Sequence, residues 1–428
     1  MRRREYLLAV AGVAGSSGCA GWRRHTPTGV RTSSEQSTVA PGAVHVTPNP
    51  IEAVGQWPRF QYDHANTGHD PMGSVSADLE PAWLRRFDSD VEFARYGRPV
   101  SVVDETLFVF GTVTDPREQV TLFALDVTDG ELRWHETLPE FDYVPRGYPA
   151  VDADRVYLWQ DELLTALDRT DGTEVWTSEE PIALSPVTHG GFVYTGRQQE
   201  VFALRADDGR VAWRTSADLP KWGITPAVDD AGVYLGTNSG IRALEPDTGE
   251  ERWSVSRDHS AVRPMVADDA VVATGETTLT AVDRETGAER WHREGPLPKT
   301  REGLPQNRYR VNPATDGRRV ICYTEQNIVL AFDLASGDRL WETDIRPTGF
   351  STPGDPPQII GDSVYVREVG RYHSIDPGTG EWKRFLQHPA DGAPAFGVDD
   401  DPPLRLLWMC DGIVVIGSDR YIGVYGCV

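Results

Sequence analysis

Short alternating runs of apolar and polar residues recur along the chain. Each closes on a turn of acids, threonine and glycine, then resumes in a strand that ends in tryptophan. The clearest copies are Leu122-Phe-Ala-Leu-Asp-Val-Thr-Asp-Gly-Glu-Leu-Arg-Trp134 and Leu164-Thr-Ala-Leu-Asp-Arg-Thr-Asp-Gly-Thr-Glu-Val-Trp176. Further copies run from Val201 to Trp213, Ile241 to Trp253, Leu279 to Trp291 and Leu330 to Trp341, with a worn one from Tyr372 to Trp382. Alternation with a period of two predicts strands, and the Asp-x-x-Thr/Asp-Gly segment between them predicts a hairpin. Aspartate accepts a backbone N–H of the turn, and glycine supplies the positive φ that a hairpin bulge requires. Two more strand-like runs precede each hairpin, as in Pro186-Val-Thr and Phe192-Val-Tyr-Thr joined by His189-Gly190-Gly191.

The tryptophans at 134, 176, 213, 253, 291, 341 and 382 lie 42, 37, 40, 38, 50 and 41 residues apart. That period is one four-stranded antiparallel unit with its turns, the blade of a β-propeller. The expected fold is all-β, an eight-bladed β-propeller over residues 51–428. Seven blades start near 98, 147, 184, 224, 262, 311 and 356. The chain ends with three strands and no fourth, and Glu80-Pro-Ala-Trp83-Leu-Arg-Arg-Phe87 supplies the missing one, closing the ring. Seven blades would result if the copy at 372–382 formed none of its own.

Before the repeats, the pattern changes. Arg3-Arg4-Glu5-Tyr6-Leu7 and the apolar run to Gly18 resemble a twin-arginine export signal, and the run is too short to span a membrane. Ser16-Ser17-Gly18-Cys19 resembles a lipobox, with Ser16 where leucine is preferred, so Cys19 is the expected lipidation site. Residues 1–18 are thus read as the signal and 19–50 as the lipidated cysteine with a disordered tether. The expected location is the outer face of the cytoplasmic membrane. The 428 residues carry 42 Lys+Arg against 65 Asp+Glu, a net charge of −23. Such a surface repels phosphate, which excludes nucleic acid as a partner. Only Lys221, Lys299 and Lys383 are lysines, so arginine supplies the other cations. An excess of carboxylates with so little lysine is the composition expected of a halophilic archaeon.

Ala-Leu-Asp-x-x-Thr-Gly-x-x-x-Trp resembles the repeat of pyrroloquinoline-quinone (PQQ) propellers, which include quinoprotein alcohol dehydrogenases and BamB-type lipoprotein scaffolds. Trp57-Pro-Arg-Phe-Gln-Tyr-Asp-His-Ala-Asn-Thr-Gly68 is similar to the segment that precedes the first blade in many of them. The resemblance implies that Trp83, Trp134, Trp176, Trp213, Trp253, Trp291, Trp341 and Trp382 dock between neighbouring blades. For a dehydrogenase it also implies PQQ in the central funnel, Ca²⁺ held by Glu, Asn and Asp, a catalytic Asp, and typically two adjacent cysteines. The four cysteines here, Cys19, Cys322, Cys410 and Cys427, include no adjacent pair, and the blades leave no long insertions to wall off a site. Cys410 and Cys427 would fall on strands with a third between them, roughly 9–10 Å apart and beyond disulfide reach.

The expected function is therefore a non-catalytic platform for other envelope or secreted proteins, monomeric and lipid-anchored, with no catalytic residue, metal or cofactor. The alternative is a quinoprotein-type oxidoreductase using PQQ with Ca²⁺, or a small-anion binder using the central funnel. His64 and His69 have no third ligand nearby in sequence, so no metal site is expected there. Arg98 and Arg263 stand just before the prolines that open innermost strands, with Arg146 and Arg310 close to equivalent positions. These four arginines are the candidate contacts for an anion or partner at one mouth of the funnel. The connections Gly295 to Arg310 and Gln387 to Pro403 are the longest between blades, and loops on a rigid ring are where partner contacts accumulate.

Overall fold

Each hairpin turn in the repeat is held first by its own backbone. In a computed structural model, the glycine N–H of every copy bonds the carbonyl four residues earlier, from Gly130 to Asp126 at 2.9 Å through to Gly380 to Asp376 at 2.9 Å. Arg205 and Glu245 replace the aspartate in two copies, yet Gly209 and Gly249 make the same bond at 3.0 and 2.9 Å. Where the aspartate is present its carboxylate adds to this, as when Asp168 accepts Thr170 N at 2.8 Å. A register shift follows in each hairpin, for example between Ala166 and Leu167. That is the bulge which glycine at positive φ permits.

The structure describes residues 41–46, 51, 57, 62–73, 75, 79–87, 91–93, 100–113, 119–138, 149–160, 162–197, 199–220, 225–256, 263–294, 313–345, 356–368, 371–387, 405–410, 412–418 and 420–427. They form eight sheets whose blade strands are antiparallel and, among the described residues, no helix. The sheets are the blades of an eight-bladed propeller. The innermost strands of blades 1 to 7 are Val100–Val103, Ala150–Val151, Val187–His189, Ala227–Asp229, Arg263–Ala267, Ala314–Thr315 and Gln358–Ile360. Blade 8 combines Arg405–Cys410, Ile413–Ser418 and Tyr421–Cys427 with Leu79–Phe87, whose antiparallel register runs from Leu79 opposite Cys427 to Arg86 opposite Tyr421. Closure by the N-terminal strand thus joins the two parts of the chain, and the copy at 372–382 forms part of blade 7. Residues 41–46 lie in the stretch expected to be tether. Here Pro41–Val46 pairs with Leu79–Phe87 and covers what would otherwise be an open outer edge.

Adjacent blades are joined by a repeated dock. Trp83, Trp134, Trp176, Trp213, Trp253, Trp291 and Trp341 are buried, and each reaches the hairpin turn of the next blade. Their Nε1 atoms donate to the carbonyls of Val127, Arg169, Ala206, Pro246, Arg284, Leu334 and Pro377 at 2.7–3.0 Å. The indole plane lies over the turn glycine. A Cβ built on Gly209 would stand 2.5 Å from Trp176 Cε3, and one on Gly172 would stand 2.5 Å from Trp134 Cε3. One glycine therefore serves both the turn and the seam. Small residues opposite the tryptophans make room for the rings, as in Ala166 opposite Trp176 and Ala203 opposite Trp213.

Trp382 departs from this scheme. The docking position lies opposite the small residue of the third strand; in blade 7 that residue is Ser374, and its partner is Arg384. Trp382 stands two residues earlier, opposite Ile375, is 37% exposed, and meets His373 edge-on at 4.7 Å. The reason lies in blade 8, whose third and fourth strands come from opposite ends of the described chain, so no hairpin turn joins them. The seam from blade 7 to blade 8 has no turn glycine to cover, and the repeat has lost the docking tryptophan there.

Candidate functional site

Innermost strands of a propeller are edge strands whose unpaired backbone groups face the axis, and an edge invites another strand. Here Trp57 and residues 62–70 occupy that position. Trp57 exchanges two backbone bonds with Val102 of blade 1, at 2.7 and 3.0 Å. The carbonyls of His64, Ala65, Thr67 and Gly68 then accept the N–H groups of Val228, Val266, Thr315 and Ile359, at 2.7–2.8 Å. These four donors occupy the same place in blades 4, 5, 6 and 7, two residues after the proline that opens each inner strand. His69–Asp70 continues as a short parallel strand beside Ile359 and Ile360. The segment is an axial strap that crosses the inner edges of five blades.

Local chemistry explains why this sequence can turn inside the channel. Asp63 accepts Thr67 N at 2.8 Å and Thr67 Oγ1 at 2.7 Å, closing a tight loop. Asn66 has a φ of 60°, a conformation that asparagine tolerates better than most residues. Fully buried, it donates its side-chain amide to the carbonyls of Pro226 and Pro264 at 3.1 Å, and of Thr225 at 3.4 Å. One amide thereby satisfies carbonyls of two blades. Trp57, fully buried, packs edge-on against Tyr62 with ring centroids 5.2 Å apart.

The two strap histidines do not converge. His64 faces His189 of blade 3, with ring centroids 4.3 Å apart, and His189 Nε2 lies 3.0 Å from Asp230 Oδ1. Burial holds His69 below the ordinary imidazole range, and the nearby charge of Asp316 only partly offsets this. Among the described residues no group of three His, Cys, Asp or Glu could hold a metal ion. Arg263 begins the innermost strand of blade 5, opposite Thr274. Arg98, Arg146 and Arg310 lie outside the described residues, as do Arg3, Arg4 and Cys19 and nearly all of both long connections. Cys322 is fully buried in blade 6, where burial pushes its thiol well above the ordinary range and leaves it inert. Cys410 and Cys427 lie on strands separated by Ile413–Ser418.

A second concave feature lies between blades 2 and 3. It is an open pocket of about 920 Å³ whose lining includes Glu162, Ile182, Arg197, Glu200 and Asp218. Arg197 pairs with Glu200 at 2.7 Å and Arg214 with Glu180 at 2.7 Å, and cross-contacts of 4.0 Å complete a neutral square of charges. Glu162 and Asp218 stand outside that square and are exposed. The pocket therefore presents excess negative charge beside an apolar floor at Ile182 and Ala217.

A family described as outer membrane protein assembly factor BamB, built on the PQQ-type repeat, matches residues 75–188 and 160–384. The chain belongs to this family. Among solved structures the propeller is similar to BamB from Moraxella catarrhalis, with a TM-score of 0.57 and 18% identity over 82% of this chain and 100% of that one. It is also similar to the quinohemoprotein alcohol dehydrogenase from Comamonas testosteroni, with a TM-score of 0.61 and 16% identity over 87% of this chain and 80% of that one. At such identities the likeness is one of fold. A curated relative, the serine/threonine-protein kinase AfsK of Streptomyces griseus, is 30% identical over 123 residues, 25% of this chain. The match spans 15% of the kinase's length. The ring is thus of a kind found both in BamB and in a quinohemoprotein alcohol dehydrogenase.

The repeat made the docking tryptophans legible in sequence. The strap was missed as an axial element, although its signal was present. Asp63-x-x-x-Thr67 and Asn66 sit in a polar segment that precedes the first blade and lacks the alternation of a blade strand.

Proposed function

We propose that this member of the BamB-type family is an exported, lipid-anchored and non-catalytic propeller whose ring presents its faces to other envelope proteins. The observation that carries the reading is the strap. Backbone donors that would otherwise face an axial ligand are taken by the chain's own carbonyls in blades 4 to 7. In this reading PQQ with Ca²⁺ is not used, since the strap's carbonyls already take the backbone donors of the inner strands of blades 4 to 7. The likeness to BamB supports a protein partner, though the outer-membrane assembly role in that relative's name is not carried over. The contact surfaces in this reading are the faces of the ring, among them the acidic pocket between blades 2 and 3. Arg98, Arg146, Arg263 and Arg310, which precede inner strands in the sequence, would supply cationic contacts.

The full chain, expressed in a salt-rich host with an active twin-arginine pathway, tests this. Wild type is expected in the membrane fraction and Cys19→Ser in the medium. A photo-crosslinker at Asp218 is expected to give a discrete protein adduct in intact envelopes that Glu162→Gln weakens. Wild type retained in the cytoplasm, or no adduct from this pocket or from positions 98 and 263, would contradict the proposal.

A further inference from the structure

We infer that the inner edges of blades 2 and 3 dock an extended segment of a partner protein, which joins them backbone to backbone as the strap joins the other blades. In an antiparallel hairpin, pairs that exchange two backbone bonds alternate with pairs whose N–H and C=O point outward. In blade 4, Asp229 and Gly232 close the turn, so Val228, opposite Val233, turns its backbone groups to the axis. Val102, Val266, Thr315 and Ile359 hold the same place in blades 1, 5, 6 and 7. All five donate to strap carbonyls, at 2.7–3.0 Å. Val151 of blade 2, opposite Val156, and Thr188 of blade 3, opposite Val193, are their equivalents. Among the described residues neither has a partner for its outward N–H or C=O.

Burial separates the two kinds of edge. Thr315, with a strap carbonyl on its N–H, is 1% exposed, whereas Thr188, the same residue type at the same place, is only half-buried. At the end of that strand the turn is Gly190-Gly191, and a Cβ built on either glycine would meet nothing within 4 Å. The blade 3 edge therefore ends in a turn without side chains, open at the mouth of the channel.

The strap itself shows what such an edge takes. At blade 1, Trp57 both donates to Val102 and accepts from it, at 2.7 and 3.0 Å. Each edge residue offers a donor and an acceptor side by side, and a peptide backbone answers both. A carboxylate would answer the N–H but has no donor for the carbonyl beside it, so a small anion is the poorer fit. Neighbouring blades are served by neighbouring residues, since His64 and Ala65 bond blades 4 and 5, and Thr67 and Gly68 bond blades 6 and 7. One dipeptide unit of a partner would serve blades 2 and 3 in the same way. Three of those four strap residues are small, so an extended segment rich in Ala, Gly, Ser or Thr is the expected occupant. The site rests on the proposal above in taking the partner to be a protein, and it uses the channel edge rather than the acidic pocket.

Site-resolved hydrogen exchange on the full chain in molar salt tests this with a synthetic peptide, so it can fail separately from the search for envelope partners. Without peptide, the amides of Val151 and Thr188 are expected to exchange roughly tenfold or more faster than those of Val228 and Val266. Acetyl-Asp-His-Ala-Asn-Thr-Gly-amide, a copy of residues 63–68, is then added up to millimolar concentration. Saturable protection is expected at Val151 and Thr188, with Val228 and Val266 unchanged. Thr188→Pro removes one outward donor at an edge position where proline is tolerated, and should weaken binding, read at Val151, by roughly tenfold. Val151→Pro, read at Thr188, serves if the first variant does not fold. The site is overturned if Val151 and Thr188 are already as protected as Val228, if the peptide protects neither, or if the proline variant binds as wild type. Equal protection by sodium acetate would also overturn it, as that is an anion site. So would loss of protection at Val228, since the peptide would then be displacing the strap.

Discussion

Alanine at Gly209 is expected to destabilise the ring by about 2–4 kcal/mol, combining a left-handed backbone with an overpacked seam. Gly209 has a φ of 69°, and the added methyl would stand 2.5 Å from Trp176 Cε3 on the neighbouring blade. Gly190→Ala separates the two contributions. Its φ is 58°, but a methyl there meets nothing within 4 Å, so only the backbone cost of about 1 kcal/mol should appear. Equilibrium denaturation in molar salt measures both. Trp176→Ala in the Gly209→Ala background should cost less than the sum of the single changes, because the methyl fills space the indole has left. Equal losses at Gly209 and Gly190, or additive losses at Trp176 and Gly209, would remove the dock as the element joining blades.

Asn66 is the other position where one side chain carries several obligations. Asn66→Ala should cost about 2–4 kcal/mol, since the carbonyls of Pro226 and Pro264 lose a buried donor and alanine is strained at φ 60°. Asn66→Asp should be worse, although aspartate tolerates that φ. A carboxylate has no donor to offer and would bring a negative charge against three carbonyl oxygens. The order is checked by melting temperature and by exchange at Val228 and Val266. Aspartate tolerated as well as alanine would mean that the amide is not what seats the strap.

The ring was legible because its determinants are local and repeated. Asp126, Thr128, Gly130 and Trp134 lie within nine residues, and the same spacing returns often enough to count blades. The closing strand could also be read, because Leu79–Phe87 carries a docking tryptophan without the strands that normally precede it. Trp382 misled because spacing between tryptophans does not record the bulge. Only the pairing of Ser374 with Arg384 places the docking position two residues later. Pro41–Val46 could not be separated from its tether, because a strand that covers an edge needs no pattern beyond a few alternating residues. The strap was the least legible element. Its partners are up to 291 residues away (Gly68 to Ile359), they are backbone groups, and backbone donors leave no mark on a sequence.

The most direct test of the central claim, that the axis is filled by the chain itself, is a titration of the propeller in molar salt with PQQ and Ca²⁺. Melting temperature and visible spectrum would be followed together. The account predicts no saturable stabilisation and no bound-quinone absorbance, because His64, Ala65, Thr67 and Gly68 already hold the inner strands of blades 4 to 7. A saturable rise in melting temperature with a bound-quinone spectrum would contradict it, and would make this ring a cofactor holder.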